Sequence, residues 1–368
     1  MRTGVFAVLV PAAVAAALAG EPATSDTCGR CHRDIYRMWR DSIHAEAAED
    51  PFFFETYRAT LDRGQIKQAK ICLSCHAPFA AASGDMALSK SLNREGVNCE
   101  FCHSLTAVEI TDRGPKHRLD VGSVKRGTIA EADSPAHGVA YSELHKSAKV
   151  CAPCHEYVSE NGVAILTTYS EWTASGAAKA GKTCQTCHMA QTTAEVVDPK
   201  VARQSAARVN LHEMPGGHSI HQLLDALDVK VRSTRAADAI DVEVAITNTG
   251  AGHAVPTGMP GRRILLVVQV DAGAGTTEER RSYGKSFRSA SGAKLTHVSD
   301  YFGADVELAS DSRIAADEVR RETFRFPMTS SAPAYVTVKM HYEHAPSGDQ
   351  GEKEWLTFFV DRKLVKRG

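Results

Sequence analysis

Ten cysteines and five histidines of this chain fall into one repeated word, C-x-x-C-H. The copies begin at Cys28 (CGRCH), Cys72 (CLSCH), Cys99 (CEFCH), Cys151 (CAPCH) and Cys184 (CQTCH), and they use every cysteine present. The word reads as a covalent c-type haem attachment site. Cys28 and Cys31, Cys72 and Cys75, Cys99 and Cys102, Cys151 and Cys154, and Cys184 and Cys187 would each form thioethers to one porphyrin. The adjoining His32, His76, His103, His155 and His188 would supply the proximal iron ligands.

Other chemistries of cysteine fit less well. Disulfides leave the histidine after every second cysteine unexplained. Histidine is 16 of 368 residues, so five placements out of five arise by chance at roughly one in several million. Structural zinc takes two C-x-x-C pairs per tetrahedral site and would orphan one of the five. Thioredoxin-like redox chemistry needs a single copy at a strand–helix junction. The expected cofactors are therefore five covalently bound haem c groups.

Each haem iron has a second axial position, and a second imidazole there keeps the iron low-spin and suited to electron transfer. Sixteen histidines less five leave eleven. The distal candidates are His44, beside an aromatic helix; His137, after Ser134-Pro135 and ahead of the fourth word; His212 and His218, flanking Met214-Pro215-Gly216-Gly217; and His253, in the loop GHAVPTG. His117 and His145 are weaker candidates, and His221, His297, His341 and His344 read as ordinary sandwich or surface residues. Met189, Met214 and Met259 read as packing before ligation. No lysine replaces a proximal histidine, and no catalytic triad, phosphate loop or H-E-x-x-H word is present.

The elements that must position these groups fall in two parts. Residues 21–226 carry all five words on short helices and long connections. About 40 residues are available per haem, too few to insulate the porphyrins from one another, so the haems would form much of the core. Helices are expected over 34–48 and over 66–76, and 111–134 reads as loop. A partial repeat matches Tyr36-x-x-Trp39-x-x-Ser42-x-His44-Ala45 with Tyr169-x-x-Trp172-x-x-Ser175-x-Ala177-Ala178. One copy carries a histidine where the other carries alanine. From residue 227 to 368 the period becomes two, as in Ile240/Val242/Val244/Ile246 and Val336/Val338/Met340/Tyr342. Seven or so strands separated by turn residues predict an immunoglobulin-like β-sandwich. The fold class is then α+β multidomain: a mainly helical and irregular multihaem cytochrome part followed by that sandwich.

A formal net charge of −1, with 43% hydrophobic and 24% charged residues, suits a soluble globular protein and gives no nucleic-acid footprint. Residues 1–20 read as a signal peptide, with Arg2, an apolar stretch too short to span a bilayer, and Ala17-Leu18-Ala19 as a cleavage site. No transmembrane anchor is expected in the mature chain. The expectation is an exported protein, periplasmic or at the cell surface, that transfers electrons to redox partner proteins or a terminal acceptor. Self-assembly into a filament or conduit is a further possibility under that reading. The alternative is a multihaem oxidoreductase of nitrogen or sulfur oxyanions with one open-coordination haem.

Residues 161–189 (NGVAILTTYSEWTASGAAKAGKTCQTCHM), the first word with Tyr36, Trp39, Ser42 and His44, Ser134-Pro135-Ala136-His137, and the Pro-Gly-Gly loop after His212 together carry a resemblance. They are similar to the multihaem cytochromes c, in the group that contains the tetrahaem electron acceptor of hydroxylamine oxidoreductase. Residues 248–263 (NTGAGHAVPTGMPGRR) resemble the β-rich C-terminal part of many such exported cytochromes. The resemblance implies a redox function, and distal ligation by histidines at or near His44, His137 and His212. The fifth word and the appended sandwich depart from the tetrahaem carriers.

Overall fold

The protein was analysed as a computed structural model, which describes residues 21–111, 114–202, 205–273, 275–329, 332–343 and 355–366. The expected signal peptide and His344 lie outside the described residues. No helix among the described residues is long and apolar enough to cross a membrane.

The haem words sit on helices, three of which are short and capped at the N-terminus by a side chain. Asn98 caps Cys99–Ser104 by accepting from the Phe101 N–H at 2.8 Å. Thr183 and Thr186 form a reciprocal capping box on Cys184–His188. Such caps let a helix of little more than one turn hold its shape. The second word closes the helix Ile66–His76, whose bounds match the sequence expectation. The helix expected over 34–48 is instead two, Arg33–Arg40 and Ile43–Glu46. Ser42 separates them: its Oγ donates to the Trp39 carbonyl at 2.6 Å and accepts from the Ala45 N–H at 3.4 Å, ending one helix and starting the next.

The stretch 111–134 is not all loop. Gly114–Leu119 pairs antiparallel with Leu105–Thr111, and Val124–Gly127 pairs parallel with Gly138–Tyr141. Glycines and charges hid these strands because they lie half-exposed and carry almost no apolar alternation.

The partial repeat is a structural one. Tyr36 and Trp39 rings lie 5.9 Å apart at 37°, and Tyr169 and Trp172 rings 5.6 Å apart at 34°. Ser175 donates to the Trp172 carbonyl at 2.7 Å and caps Ala178, as Ser42 does for its own helix. Trp39 Nε1 donates to Val97 O and Trp172 Nε1 to Lys182 O, both at 2.9 Å. Val97 N–H in turn donates to His44 O at 2.8 Å, and Lys182 N–H to Ala177 O at 3.0 Å. Each of those residues follows a left-handed glycine, Gly96 (φ 62°) or Gly181 (φ 74°), and precedes a haem word by one residue. The unit therefore reaches from the aromatic pair to the word: Tyr36 to His103 in the first copy and Tyr169 to His188 in the second. Residues 45–95, with the second word, interrupt only the first.

Beyond Leu227 two antiparallel sheets face each other. Three strands are ordered Val319–Pro327, Ala239–Asn248, Leu227–Arg235. Five are ordered Glu307–Asp311, Thr276–Arg288, Arg263–Asp271, Ala334–Glu343, Trp355–Val365. The alternating apolar residues point inward and make one core, in which Ile240, Val242, Ile246, Ile264, Leu266, Val268 and Met340 have no exposed surface. Each such side chain contributes about 1.5–3 kcal/mol of burial. The fold is thus α+β, with helices and small ribbons around the words and a two-sheet C-terminal part.

The two parts are packed together. Tyr157, Ile165 and Leu166 share a buried cluster with Phe287, Phe302 and Val306. Arg63 pairs with Asp300 at 2.9 Å, and Asn161 Nδ2 donates to Val306 O at 2.8 Å.

Candidate haem centres

None of the ten thiols is in a disulfide. Four of the word histidines are anchored in the same way. His32 Nδ1 donates to Val196 O at 2.9 Å, His76 Nδ1 to Ala47 O at 2.9 Å, His103 Nδ1 to Arg126 O at 2.6 Å, and His188 Nδ1 to Pro215 O at 2.7 Å. A proton held on Nδ1 leaves Nε2 as the free lone pair, which is how metal-binding imidazoles are oriented.

Four word histidines also face a second imidazole. The ring centroids are 6.2 Å apart for His32 and His137, 6.2 Å for His155 and His44, 6.3 Å for His103 and His212, and 6.3 Å for His188 and His253. Two imidazole nitrogens at about 2.0–2.1 Å on opposite sides of one metal place their rings roughly 6 Å apart. Three of the four second members carry the same anchor: His137 Nδ1 donates to Gly138 O at 3.0 Å, His212 Nδ1 to Asn210 O at 2.7 Å, and His253 Nδ1 to Ala254 O at 3.0 Å.

Burial, reinforced by neighbouring histidines, favours the neutral form of His44, His103, His155, His212 and His253. His44 is pushed down to about 4, and His103 likewise; His155 falls to about 3, with His44, His188 and His253 among its causes. Neutral imidazole is the form that binds a metal. Yet each of these rings keeps accessible surface. They are partly exposed rather than enclosed by protein, as residues lining a cradle for a large flat group would be.

His76 differs. Its ring lies flat on Phe53, with centroids 4.1 Å apart at 8°, and it lies near enough to His44 to lower that ring's pKa. The other candidates are placed elsewhere. His145 lies 5.9 Å from His103, but Ser142 Oγ and Cys102 O engage its two nitrogens at 2.8 and 2.7 Å. His117 meets Phe101 edge-on, with Nε2 3.9 Å from Cys154 Sγ. His218 lies near enough to His44 to lower its pKa, while its loop neighbour His212 is the one that faces His103.

Thiols of different words meet. Cys28 contacts Cys99, Cys75 contacts Cys154, and Cys151 contacts Cys184. These contacts join the first word to the third, and the fourth to both the second and the fifth. Cys187 is the exposed thiol among the ten. The arrangement fits five porphyrins held edge by edge, each with a thiol pair and an oriented imidazole.

The comparisons agree in class. Residues 27–104 match the family Cytochrome c554 and c-prime. A penta-heme cytochrome c552 from Thermochromatium tepidum has the same fold, at a TM-score of 0.70 and 21% identity, over 94% of this chain and 100% of that one. No curated protein matches the sequence. Words, fold and matched segment together support a multihaem c-type cytochrome with covalently bound haem.

Sequence reasoning missed two things here. One is the full extent of the repeated unit, whose signal was the Gly-x-(Asn/Thr) triplet ahead of Cys99 and Cys184. The other is Glu171, whose carboxylate bridges the two parts of the fold and has no motif.

Proposed function

We propose that this chain is an exported pentahaem c-type cytochrome that transfers electrons to a redox partner, with residues 21–226 as its haem domain and 227–368 as a docked sandwich. When bound, the haems supply one-electron chemistry at iron. The contacts between thiols of different words carry the reading, because they bring the attachment edges of neighbouring cofactors together without intervening protein. The four imidazole pairs support a reading with His137, His212, His44 and His253 as distal ligands opposite His32, His103, His155 and His188. In three of the pairs, Nδ1–carbonyl bonds on both rings would fix the imidazoles in either oxidation state and keep rearrangement small. The leader-like residues 1–20 and the covalent attachment chemistry support export to the periplasm or cell surface. The resemblance to the hydroxylamine oxidoreductase partner group favours an exported oxidoreductase as the partner class.

A second reading rests on His76. With a phenyl face against its proximal imidazole, the haem of the second word is the candidate for an open axial position, able to bind a small nitrogen or sulfur oxyanion, unless His218 serves as its distal ligand.

Electron paramagnetic resonance of the oxidised, fully loaded protein tests both. We expect four low-spin ferric haems, and one high-spin haem that shifts with nitrite, hydroxylamine or cyanide. A chain in which all five are low-spin would remove the open site. Two or more high-spin haems would break the ligand assignment. Reduction by a single donor should reach all five haems, and a haem left oxidised would count against a transfer chain.

A further inference from the structure

We propose that Glu171 and Arg313 form a latch that positions His253, a residue carried by the sandwich, against the fifth haem word. The proposal rests on the assignment of His253 opposite His188.

His253 lies on the loop that follows strand Ala239–Asn248, and that loop is pressed into the haem-word part. A Cβ on Gly250 would fall 1.9 Å from the Asp225 carbonyl oxygen. One on Gly252 would fall 2.9 Å from Ala177 Cβ and 3.1 Å from Trp172 Cδ1. Only glycine permits this approach, and on the opposite side the small Ala177 leaves the room. Asn248, with no exposed surface, holds the loop from behind, its Nδ2 donating to His253 O at 2.9 Å and Ile314 O at 3.1 Å.

The next residue connects the loop to the latch. Ala254 uses its carbonyl to accept from His253 Nδ1 and its N–H to donate to Glu171 Oε2 at 2.9 Å. One peptide unit apart, these two bonds link the carboxylate to the imidazole. The other oxygen, Glu171 Oε1, accepts from Thr167 Oγ1 at 2.6 Å and from Arg313 Nη2 at 2.6 Å. Arg313 comes from the sandwich, is 8% exposed in its side chain, and also pairs with Asp311 at 2.7 Å. Its neighbour Ile314 exchanges two backbone bonds with Val255, at 2.9 and 3.0 Å. Helix Thr168–Ala174 of the haem-word part thus grips the ligand loop from one side while Arg313 grips the same carboxylate from the other.

A charged clamp of this kind acts by orientation. A partner that fixes the ring of a metal-bound histidine typically changes affinity by about 10–100-fold when removed. Glu171 is therefore a positioning residue: it acts on His253 through the Ala254 peptide, and its loss should show as a looser sixth ligand.

The test uses the full, haem-loaded chain, with five haems per protein by pyridine haemochrome as the folding control. His253→Ala should add one high-spin ferric haem. Glu171→Ala should add a fractional high-spin signal and speed cyanide binding at that haem by about tenfold or more. Glu171→Gln, whose amide oxygen can still accept from Ala254, should recover most of the wild-type behaviour. If Glu171→Ala fails to load five haems, Arg313→Gln decides, with a smaller shift in the same direction. A new high-spin haem in His253→Ala alone, with cyanide rates unmoved in the Glu171 or Arg313 variant, overturns the latch. An unchanged spin count in His253→Ala overturns the ligand assignment itself. A variant that melts earlier without a change in cyanide rate leaves Glu171 only a structural role and also refutes the proposal.

Discussion

The two copies of the aromatic unit are built alike and end differently. In each, a tyrosine stacks obliquely on a tryptophan, a serine turns the chain, and the tryptophan indole reaches the carbonyl two residues ahead of a haem-word cysteine. The first copy then presents His44, whose ring faces His155 of the fourth word. The second presents Ala177, and into the space beside it comes Gly252 of the sandwich, bringing His253 to face His188. The same scaffold position thus carries an imidazole in one copy and, in the other, a seat for the loop that brings one. Under the proposed assignment, the comparison gives the sandwich a role: it would supply an imidazole that the haem-word part does not provide for its fifth word.

If the first copy is a ligand carrier, His44→Ala should have the largest effect of any change within either unit. The haem of the fourth word would pass from low-spin to high-spin, and cyanide binding at that site would rise from undetectable to one per protein, measured by titration against the Soret band. An unaltered spin count would break the comparison at its root, because the two copies would then both be ligand-free.

How much of this was legible in the sequence depends on the range of the signal. Haem attachment is local chemistry, so Cys184, Cys187 and His188 announce themselves within five residues. The β region was legible for a similar reason, since Ile240, Val242, Val244 and Ile246 show their period within one strand. The imidazole pairs are of another kind. His32 faces His137, His155 faces His44, and His188 faces His253 across long stretches of chain. Such pairing is set by tertiary packing, so the sequence could name candidates but not partners. Strand Gly114–Leu119 escaped because its pairing satisfies backbone groups while burying little, and apolar periodicity is blind to that. Glu171 escaped because a carboxylate on a short helix has no signature until Ala254 and Arg313 are placed beside it.

The second copy can be attacked through its seat. Ala177→Leu adds atoms where a Cβ on Gly252 would already lie only 2.9 Å away. Overpacking of this sort costs about 1–3 kcal/mol, and here the loop has a cheaper response, which is to back away and carry His253 with it. The expected result is a high-spin signal from the haem of the fifth word at nearly unchanged haem content. The matching change in the first copy, His44→Leu, should instead expose the fourth word's haem and leave the fifth intact. Resolving which haem changes, by low-temperature magnetic circular dichroism of single and double variants, sharpens the comparison. The double variant should show both signals, because each substitution acts on the imidazole facing a different word.

The smallest effect separates the two copies by burial alone. Trp39→Phe and Trp172→Phe each delete one indole N–H bond of 2.9 Å to a backbone carbonyl. Trp39 is 7% exposed, so removing its N–H strands Val97 O where water enters poorly, at about 1–3 kcal/mol. Trp172 lies nearer the surface, and water can take over the Lys182 carbonyl, so the loss should stay at about 0.5–1.5 kcal/mol, the net worth of an ordinary hydrogen bond. Thermal melting of the oxidised holoprotein, followed in the Soret region, should rank Trp39→Phe well below Trp172→Phe. Neither variant should create a high-spin haem, since the bond supports the unit and not the ligand. Equal melting shifts would mean that the two indoles are equally dry, and that the sandwich loop seals the second copy as completely as residues 45–95 seal the first.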